Sequence, residues 1–177
     1  NNISSTITSL GRLLEISMNK INDVLSIEEE LTNIKSYIQI QQVRYPGRFD
    51  VEYAIPEELL HYSTLKLILQ PIVENSILHN IEQRDFLQIQ ISGQLQENCI
   101  ILKVRDNGVG MSQDTMSAIL KKNSASKKGS VFSGIGVYNV QERIQLAYGM
   151  EYGLSYHSDA SSFTEVSITL PKTKELR

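Results

Sequence analysis

The sequence predicts an α/β fold in two layers, a mixed sheet with helices on a single face, preceded by a helical arm. Three observations carry that expectation. Segments of period-two apolar alternation recur after Arg48, stripes of helical period lie between them, and the first 46 residues hold helical stripes with no strand pattern.

In chain order, Ile3, Ile7, Leu10, Leu13, Leu14 and Ser17 recur at helical spacing over residues 3–18. Ser26-x-x-Glu29 then has the form of a capping box and opens a second helix, whose stripe runs Ile27, Leu31, Ile34, Ile38, Gln41 and Tyr45. Pro46-Gly47 ends it, and a domain boundary is expected there, dividing 1–46 from 47–177. Residues 49–55 alternate as a strand closed by Pro56. Residues 65–78 predict a helix with Leu65, Ile68, Leu69, Ile72, Val73 and Ser76 on one face, bent or tightened by Pro71. Strands follow over Leu87, Ile89, Ile91 and over Ile100, Leu102, Val104, joined by a hairpin connection at 94–98. Residues 112–120 predict a short helix, and 121–133 a polar loop bearing Lys121, Lys122, Lys127 and Lys128. A helix over 135–148 carries Val137, Val140, Ile144 and Tyr148 on one stripe, and strands over 152–157 and 164–170 finish the sheet.

Composition narrows the function classes. With 41% hydrophobic and 21% charged residues the chain is of ordinary globular type. A net charge of -3 argues against nucleic acid as a partner, which requires a clustered basic face. It leaves room for an anionic ligand, since backbone N–H groups can cradle phosphate without net positive charge. Cys99 stands alone, so no internal disulfide is possible; a reducing compartment fits, and the thiol is expected to be a small buried hydrophobe. No apolar run approaches the ~20 residues that cross a bilayer. Beginning at Asn1 without Met, the chain reads as a piece of a longer protein, expected to be membrane-anchored with this part on the cytoplasmic side.

Three constellations carry chemistry. In Glu74-Asn75-x-x-x-His79, Asn75 and His79 lie four residues apart on one helix flank beside the apolar stripe. An amide oxygen there can complete a Mg²⁺ shell otherwise made of phosphates and water; the plainer alternatives are a surface Asn and a histidine that packs at the helix end. Asp106-Asn107-Gly108-Val109-Gly110-Met111 follows a strand. A carboxylate at a strand's end can accept a hydrogen bond from an exocyclic amine such as adenine N6, and glycines let the backbone approach a flat ring. The alternative is a simple Asp-Asn-Gly turn. Ser133-Gly134-Ile135-Gly136 leads into a helix, whose N-terminal amides can bind an anion, although it matches neither a Walker A loop nor a dinucleotide fingerprint. The lysines ahead of it would suit either a solvated loop or a lid over phosphates. His61 and His157 are expected at the surface.

Taken together, these motifs resemble the ATP-binding fold shared by histidine kinases, type II topoisomerases, Hsp90-type chaperones and mismatch-repair ATPases, the Bergerat or GHKL fold. More narrowly, Leu69-Gln70-Pro71-Ile72-Val73-Glu74-Asn75-Ser76-Ile77-Leu78-His79 and Gly134-Ile135-Gly136-Val137-Tyr138-Asn139-Val140-Gln141-Glu142-Arg143-Ile144 resemble the sensor histidine kinases of the LytS and YesM types. Ser26-Ile27-Glu28-Glu29-Glu30-Leu31 and Tyr37-Ile38-x-Ile40-Gln41-x-x-Arg44 are similar to the same subfamily. The resemblance implies ATP and Mg²⁺ as cofactors, with Asn75 on the metal and Asp106 on the adenine amine. It also implies nucleotide walls formed by Gly108, Gly110, Met111, Gly134, Ile135 and Gly136, with Thr164 beside Asp106. His79 would lie against the nucleotide, Glu74 would orient the metal shell, and Lys128 would act from the lid. The Glu142-Arg143 pair is typical of the subfamily without an assigned role.

By the same resemblance, residues 1–46 are part of a dimerisation and phosphoacceptor region with its connecting helix, and 47–177 are the ATP-binding catalytic domain. The phosphoacceptor histidine is expected upstream of this chain, the whole kinase is expected to be a homodimer, and a response regulator is its expected partner. The isolated piece is expected to bind ATP without phosphorylating itself. Departures are Leu78 where a lysine is usual, Phe132 where the last glycine box usually begins, and Phe163 in place of a glycine. The alternatives are an ATPase switch of topoisomerase or mismatch-repair type, against which Pro71 stands where a catalytic carboxylate is usual, and a degenerate scaffold domain.

Overall fold

A computed structural model describes residues 24–120 and 133–173. The helical stripe expected over 3–18, the lysines at 121, 122, 127 and 128, and Phe132 lie outside the described residues.

A short strand, β1 (Val24–Ser26), runs directly into helix α1 (Ile27–Arg44). The capping box forms as expected: the Ser26 hydroxyl accepts the Glu29 N–H at 3.2 Å, and the Glu29 carboxylate accepts the Ser26 N–H at 2.8 Å. These bonds satisfy amides that the helix itself cannot pair. The face of α1 bearing Ile27, Leu31, Ile34, Tyr37 and Ile38 is buried, while Gln41 and Tyr45 are only half-buried.

Strand β2 (Phe49–Ala54) follows, then a single 3₁₀ turn at Glu57–Leu59, and then β3 (Ser63–Leu65), which pairs antiparallel with β1. Here the structure corrects the sequence. No helix spans 65–78; Ser63–Leu65 is a strand, and helix α2 starts only at Gln70 and runs to Asn80. Two local features account for this. Leu67 has φ 58°, a left-handed conformation that no right-handed helix contains. Pro71 sits in the first turn of α2, where its missing N–H costs nothing, so it opens the helix rather than bending it.

The main sheet is completed by β4 (Leu87–Leu95), β5 (Cys99–Asp106), β6 (Gly153–Asp159) and β7 (Phe163–Pro171), in the order β2-β4-β5-β7-β6. Strands β2 and β4 are parallel and every other pair is antiparallel, so the sheet is mixed. The hairpin connection between β4 and β5 is closed by Gln96 N–H donating to the Cys99 carbonyl at 2.9 Å. Cys99 is half-buried there, with Sγ 3.4 Å from Gln96 Oε1, rather than a buried hydrophobe.

Alternation gives the sheet two unlike faces. Ile89, Ile91, Ile100, Leu102, Val104, Val166, Ile168 and Leu170 face one way and are buried. On the other side Lys103 and Arg105 lie beside Glu165, with the closest approaches 3.0 and 3.5 Å. Helices α1, α2, α3 (Gln113–Leu120) and α4 (Ser133–Tyr148) complete the second layer. Val73 and Ile77 from α2 and Val137, Val140 and Ile144 from α4 join α1's stripe in one apolar core. The fold is therefore a two-layer α/β sandwich, as the sequence predicts. Among the described residues no helix is long and apolar enough to cross a membrane.

Candidate functional site

Helix α2 meets the end of β5 through Ser76 and Asn80, with His79 nearby. Glu74, Asn75 and His79 are half-buried, Ser76 and Asn80 are buried, and Leu78 is exposed. Asp106 closes β5 and is only 3% exposed. Its Oδ1 accepts the Gly108 N–H at 2.9 Å and the Asn80 amide at 3.3 Å. Burial pushes the Asp106 carboxyl above its ordinary range. Hydrogen bonds from the Ser76 side chain and from the Gly108 and Thr164 backbones oppose that rise, as does the nearby His79. The side chain is thus an acceptor among donors.

The loop that follows lies directly on α2. Asn80 Oδ1 accepts the Val109 N–H at 2.9 Å, and a Cβ on Gly108 would overlap the Asn80 side chain. Gly110 has φ 71° and faces the Asp159 carbonyl so closely that a Cβ would collide with it. Met111 donates its N–H to Ser158 Oγ at 2.8 Å. Arg84 fastens the arrangement from the other side: its Nη2 donates to the Gly108 carbonyl at 2.9 Å and to the Ser161 carbonyl at 2.8 Å. Thr164 stands opposite Asp106 in the β5–β7 register, buried, with Oγ1 3.3 Å from Ser158 Oγ.

The third motif is close to the first. Gly134, Ile135 and Gly136 form the opening turn of α4, and a Cβ on Gly136 would stand 3.3 Å from Pro71 Cβ. The N-terminal turns of α2 and α4 are therefore neighbours.

So the structure joins α2 to the Asp106 turn through Ser76, His79 and Asn80, holds Gly110, Met111 and Thr164 beside Ser158 and Asp159, and sets Gly136 beside Pro71; Asn75 is half-buried one turn before His79, and Glu74 lies near Tyr37 of α1. Lys128 lies outside the described residues. Of the departures noted above, Phe163 turns its ring to the open sheet face, with the Arg105 guanidinium 3.8 Å from its centroid and His157 edge-on at 5.2 Å. His61 and His157 are exposed, as expected.

Sequence reasoning missed Ser76, Asn80, Arg84 and Ser158 as parts of this assembly. A serine within an apolar helical stripe, with an asparagine one turn later, was the available signal for the first two. Arg84 had none, since its contact with Ser161 joins residues 77 apart in the chain.

A buried carboxylate at a strand's end, held against an Asn-bearing helix and a glycine turn, defines the class: a nucleotide-binding α/β sandwich. The family described as histidine kinase-, DNA gyrase B- and HSP90-like ATPases matches residues 61–174, and the family described as histidine kinase matches residues 1–49. The chain belongs to the first of these families as an ATP-binding catalytic domain of the histidine-kinase type, homologous to LytS- and YesM-like sensor kinases.

It is similar to the sensor histidine kinase YesM of Bacillus subtilis, 34% identical over 177 residues, covering 98% of this chain and 28% of that protein. The sensor protein LytS of Staphylococcus saprophyticus is 30% identical over 151 residues, covering 85% of this chain and 25% of that protein. This chain thus spans 28% and 25% of the lengths of those relatives. In fold, it is like the nucleotide-free catalytic domain of the histidine kinase ThkA, with TM-score 0.63, 14% identity and coverage of 87% of this chain and 97% of that one. Full-length ShkA in complex with AMPPNP gives TM-score 0.63 at 14% identity, covering 98% of this chain and 36% of that one.

Proposed function

We propose that this domain binds Mg·ATP between α2, the Asp106–Met111 turn and the first turn of α4, and presents the γ-phosphate to a histidine upstream in the same kinase. The observation that carries this reading is the direct attachment of the Asn75 helix to the Asp106 turn through Ser76 and Asn80.

The residues suit the ligand. Asp106 would accept the adenine amine, Gly108 and Gly110 would leave room for the ring, and Met111, His79 and Thr164 would line the base and sugar. Gly134, Ile135 and Gly136 would offer helix-terminal N–H groups to the phosphates, with the dipole favouring negative charge. Among the described residues no three His, Cys, Asp or Glu side chains are grouped to hold a metal. A Mg²⁺ would accordingly take one oxygen from Asn75, draw the rest of its shell from phosphates and water, and be oriented by Glu74. When bound, it neutralises charge on the transferring group. Lys128 would add a cation from the segment that precedes α4 in the chain.

Transfer needs positioning and charge stabilisation more than a strong base, because neutral imidazole is already a nucleophile. Its nitrogen lone pair forms the N–P bond while the bond from phosphorus to the bridging oxygen breaks, and ADP departs with that electron pair. The phosphoryl group would then pass to an aspartate of a response regulator, and the whole kinase would work as a homodimer through the region that includes residues 1–46.

Calorimetric titration with a non-hydrolysable ATP analogue, with and without Mg²⁺, tests the binding. The expected result is Mg-dependent binding that weakens by about tenfold or more in Asp106→Asn, since the amide turns a donor toward groups that are themselves donors. Equal binding by both forms, or none by the native chain, would overturn the reading. Incubated with labelled ATP, the isolated domain should acquire no stable phosphohistidine.

A further inference from the structure

Resting on that reading of the site, we propose that Glu30 is a positioning residue for nucleotide binding, tying the connecting helix α1 to the N-terminus of the Asn75 helix. Glu30 belongs to the stretch that matches the histidine kinase family (1–49), and its partners belong to the stretch that matches the ATPase family (61–174).

The contact is specific. Glu30 is 1% exposed on a helix whose neighbours Glu28 and Glu29 face solvent. One carboxylate oxygen accepts the Leu67 N–H at 2.8 Å; the other accepts the Ile68 N–H at 2.7 Å and the Leu69 N–H at 3.0 Å. Those amides lead straight into α2, whose N-cap residue, Leu69, supplies no side-chain cap of its own. A carboxylate nearly forty positions earlier in the chain therefore fixes the turn that delivers the backbone into α2, pairing three amides that precede the helix.

The segment that Glu30 holds is also conformationally unusual. Leu67 holds φ 58°, which a branched side chain rarely adopts without surrounding restraint. The restraint comes from both neighbouring helices. Arg143 of α4 donates from Nη2 to the Lys66 carbonyl at 3.0 Å, and its charge opposes the rise that burial imposes on the Glu30 carboxyl. Lys66–Leu69 is thus a junction where α1, α2 and α4 meet, and Arg143 gains a physical role. Asn75 lies on α2 within two turns of Leu69, so a shift of α1 that loosens these bonds would be felt first at the start of the helix that carries it. Glu30 touches no nucleotide; it acts through α2.

The test compares Glu30→Gln and Glu30→Asp with Ile34→Ala, a buried α1 residue that makes no bond to α2. Each variant is assayed for Mg·ATP-analogue affinity, for Mg-free ADP affinity and for amide exchange. In the Glu30 variants, exchange should quicken over 67–75, and Mg·ATP-analogue affinity should fall about tenfold while Mg-free ADP affinity changes less than twofold. Glu30→Gln sets an amide donor against at least one backbone N–H, and Glu30→Asp falls short of the three amides, so both should show the loss. Ile34→Ala should lower Tm and leave both affinities in place. Losses that are equal for the two ligands, or that simply follow Tm as in Ile34→Ala, would overturn the positioning role. If Glu30→Gln fails to fold, Glu30→Asp, which keeps the charge but shortens the reach, decides the question by the same readouts. Failure of the native chain to bind the analogue would sink the underlying site reading, whereas native binding with unaltered Glu30 variants would sink this inference alone.

Discussion

Leu78 lies on α2 between Asn75 and His79, 46% exposed, where related kinases are expected to carry a lysine. Its exposure makes it a fair test, since it lies outside the buried core. Leu78→Lys should leave Tm within about a degree and tighten Mg·ATP-analogue binding roughly three- to tenfold, the scale of one added cation near phosphates in partly screened surroundings. Unchanged affinity in a titration would show that position 78 does not face the phosphates. At this scale the sequence was informative where chemistry and spacing coincide. Asn75 and Asp106 could be singled out because helix propensity gives no reason for a mid-helix amide and because the carboxylate precedes more glycines than a plain turn needs, although Asp106 also closes such a turn by accepting the Gly108 N–H at 2.9 Å. Asn80 and Arg84 could not, because their function is to bridge segments that only the tertiary fold brings together: Asn80 to Val109 at 2.9 Å, Arg84 to Ser161 at 2.8 Å.

Elements reveal a different limit. The capping box at Ser26 and Glu29 was legible, because both halves of it are local. Ser26→Ala should remove the side-chain half, cost about 1 kcal/mol and lower Tm by several degrees, with nucleotide affinity unchanged. Denaturation followed by circular dichroism checks this, and a coupled loss of affinity would mean that the cap also sets the pose of α1. The start of α2 was not legible. Apolar spacing over 65–69 fits a helix, yet Ser63–Leu65 pairs with Val24–Ser26 and Leu67 turns left-handed. A short strand facing a partner some forty residues away leaves no periodic trace of its own, and Glu30, which holds the turn, reads in sequence as one more acid in a helix's first turn. By contrast, the β5 and β7 alternation predicts which side chains line the core, since each strand is long enough to display period two.

For the molecule as a whole, two carboxylates couple the fold to pH in the same direction. Burial raises Glu30 above its ordinary value of 4.5 and Asp106 above 3.8. Between each unfolded value and the raised folded one, the folded state binds more protons than the unfolded chain does. Each group's contribution to stability is therefore greatest below its unfolded value and declines as pH rises through its folded value. Glu165 acts in the opposite sense: its partial burial is outweighed by Lys103 and Arg105, so its contribution is lost on acidification, but it is solvent-accessible and screened. Comparing the native chain with Glu30→Gln cancels that background, because Glu165 titrates in both. The unfolding free-energy difference, native minus variant, should shift in favour of the native chain as pH falls from the raised folded value of Glu30 toward 4.5, by at most about 1.4 kcal/mol per pH unit. Asp106→Asn should show the same sign, with its window reaching down to 3.8. Urea denaturation at a series of pH values measures both. A difference that shifts against the native chain on acidification would mean that the three amides and Arg143 outweigh burial at Glu30, making the junction of α1, α2 and α4 an electrostatic clamp that acid releases.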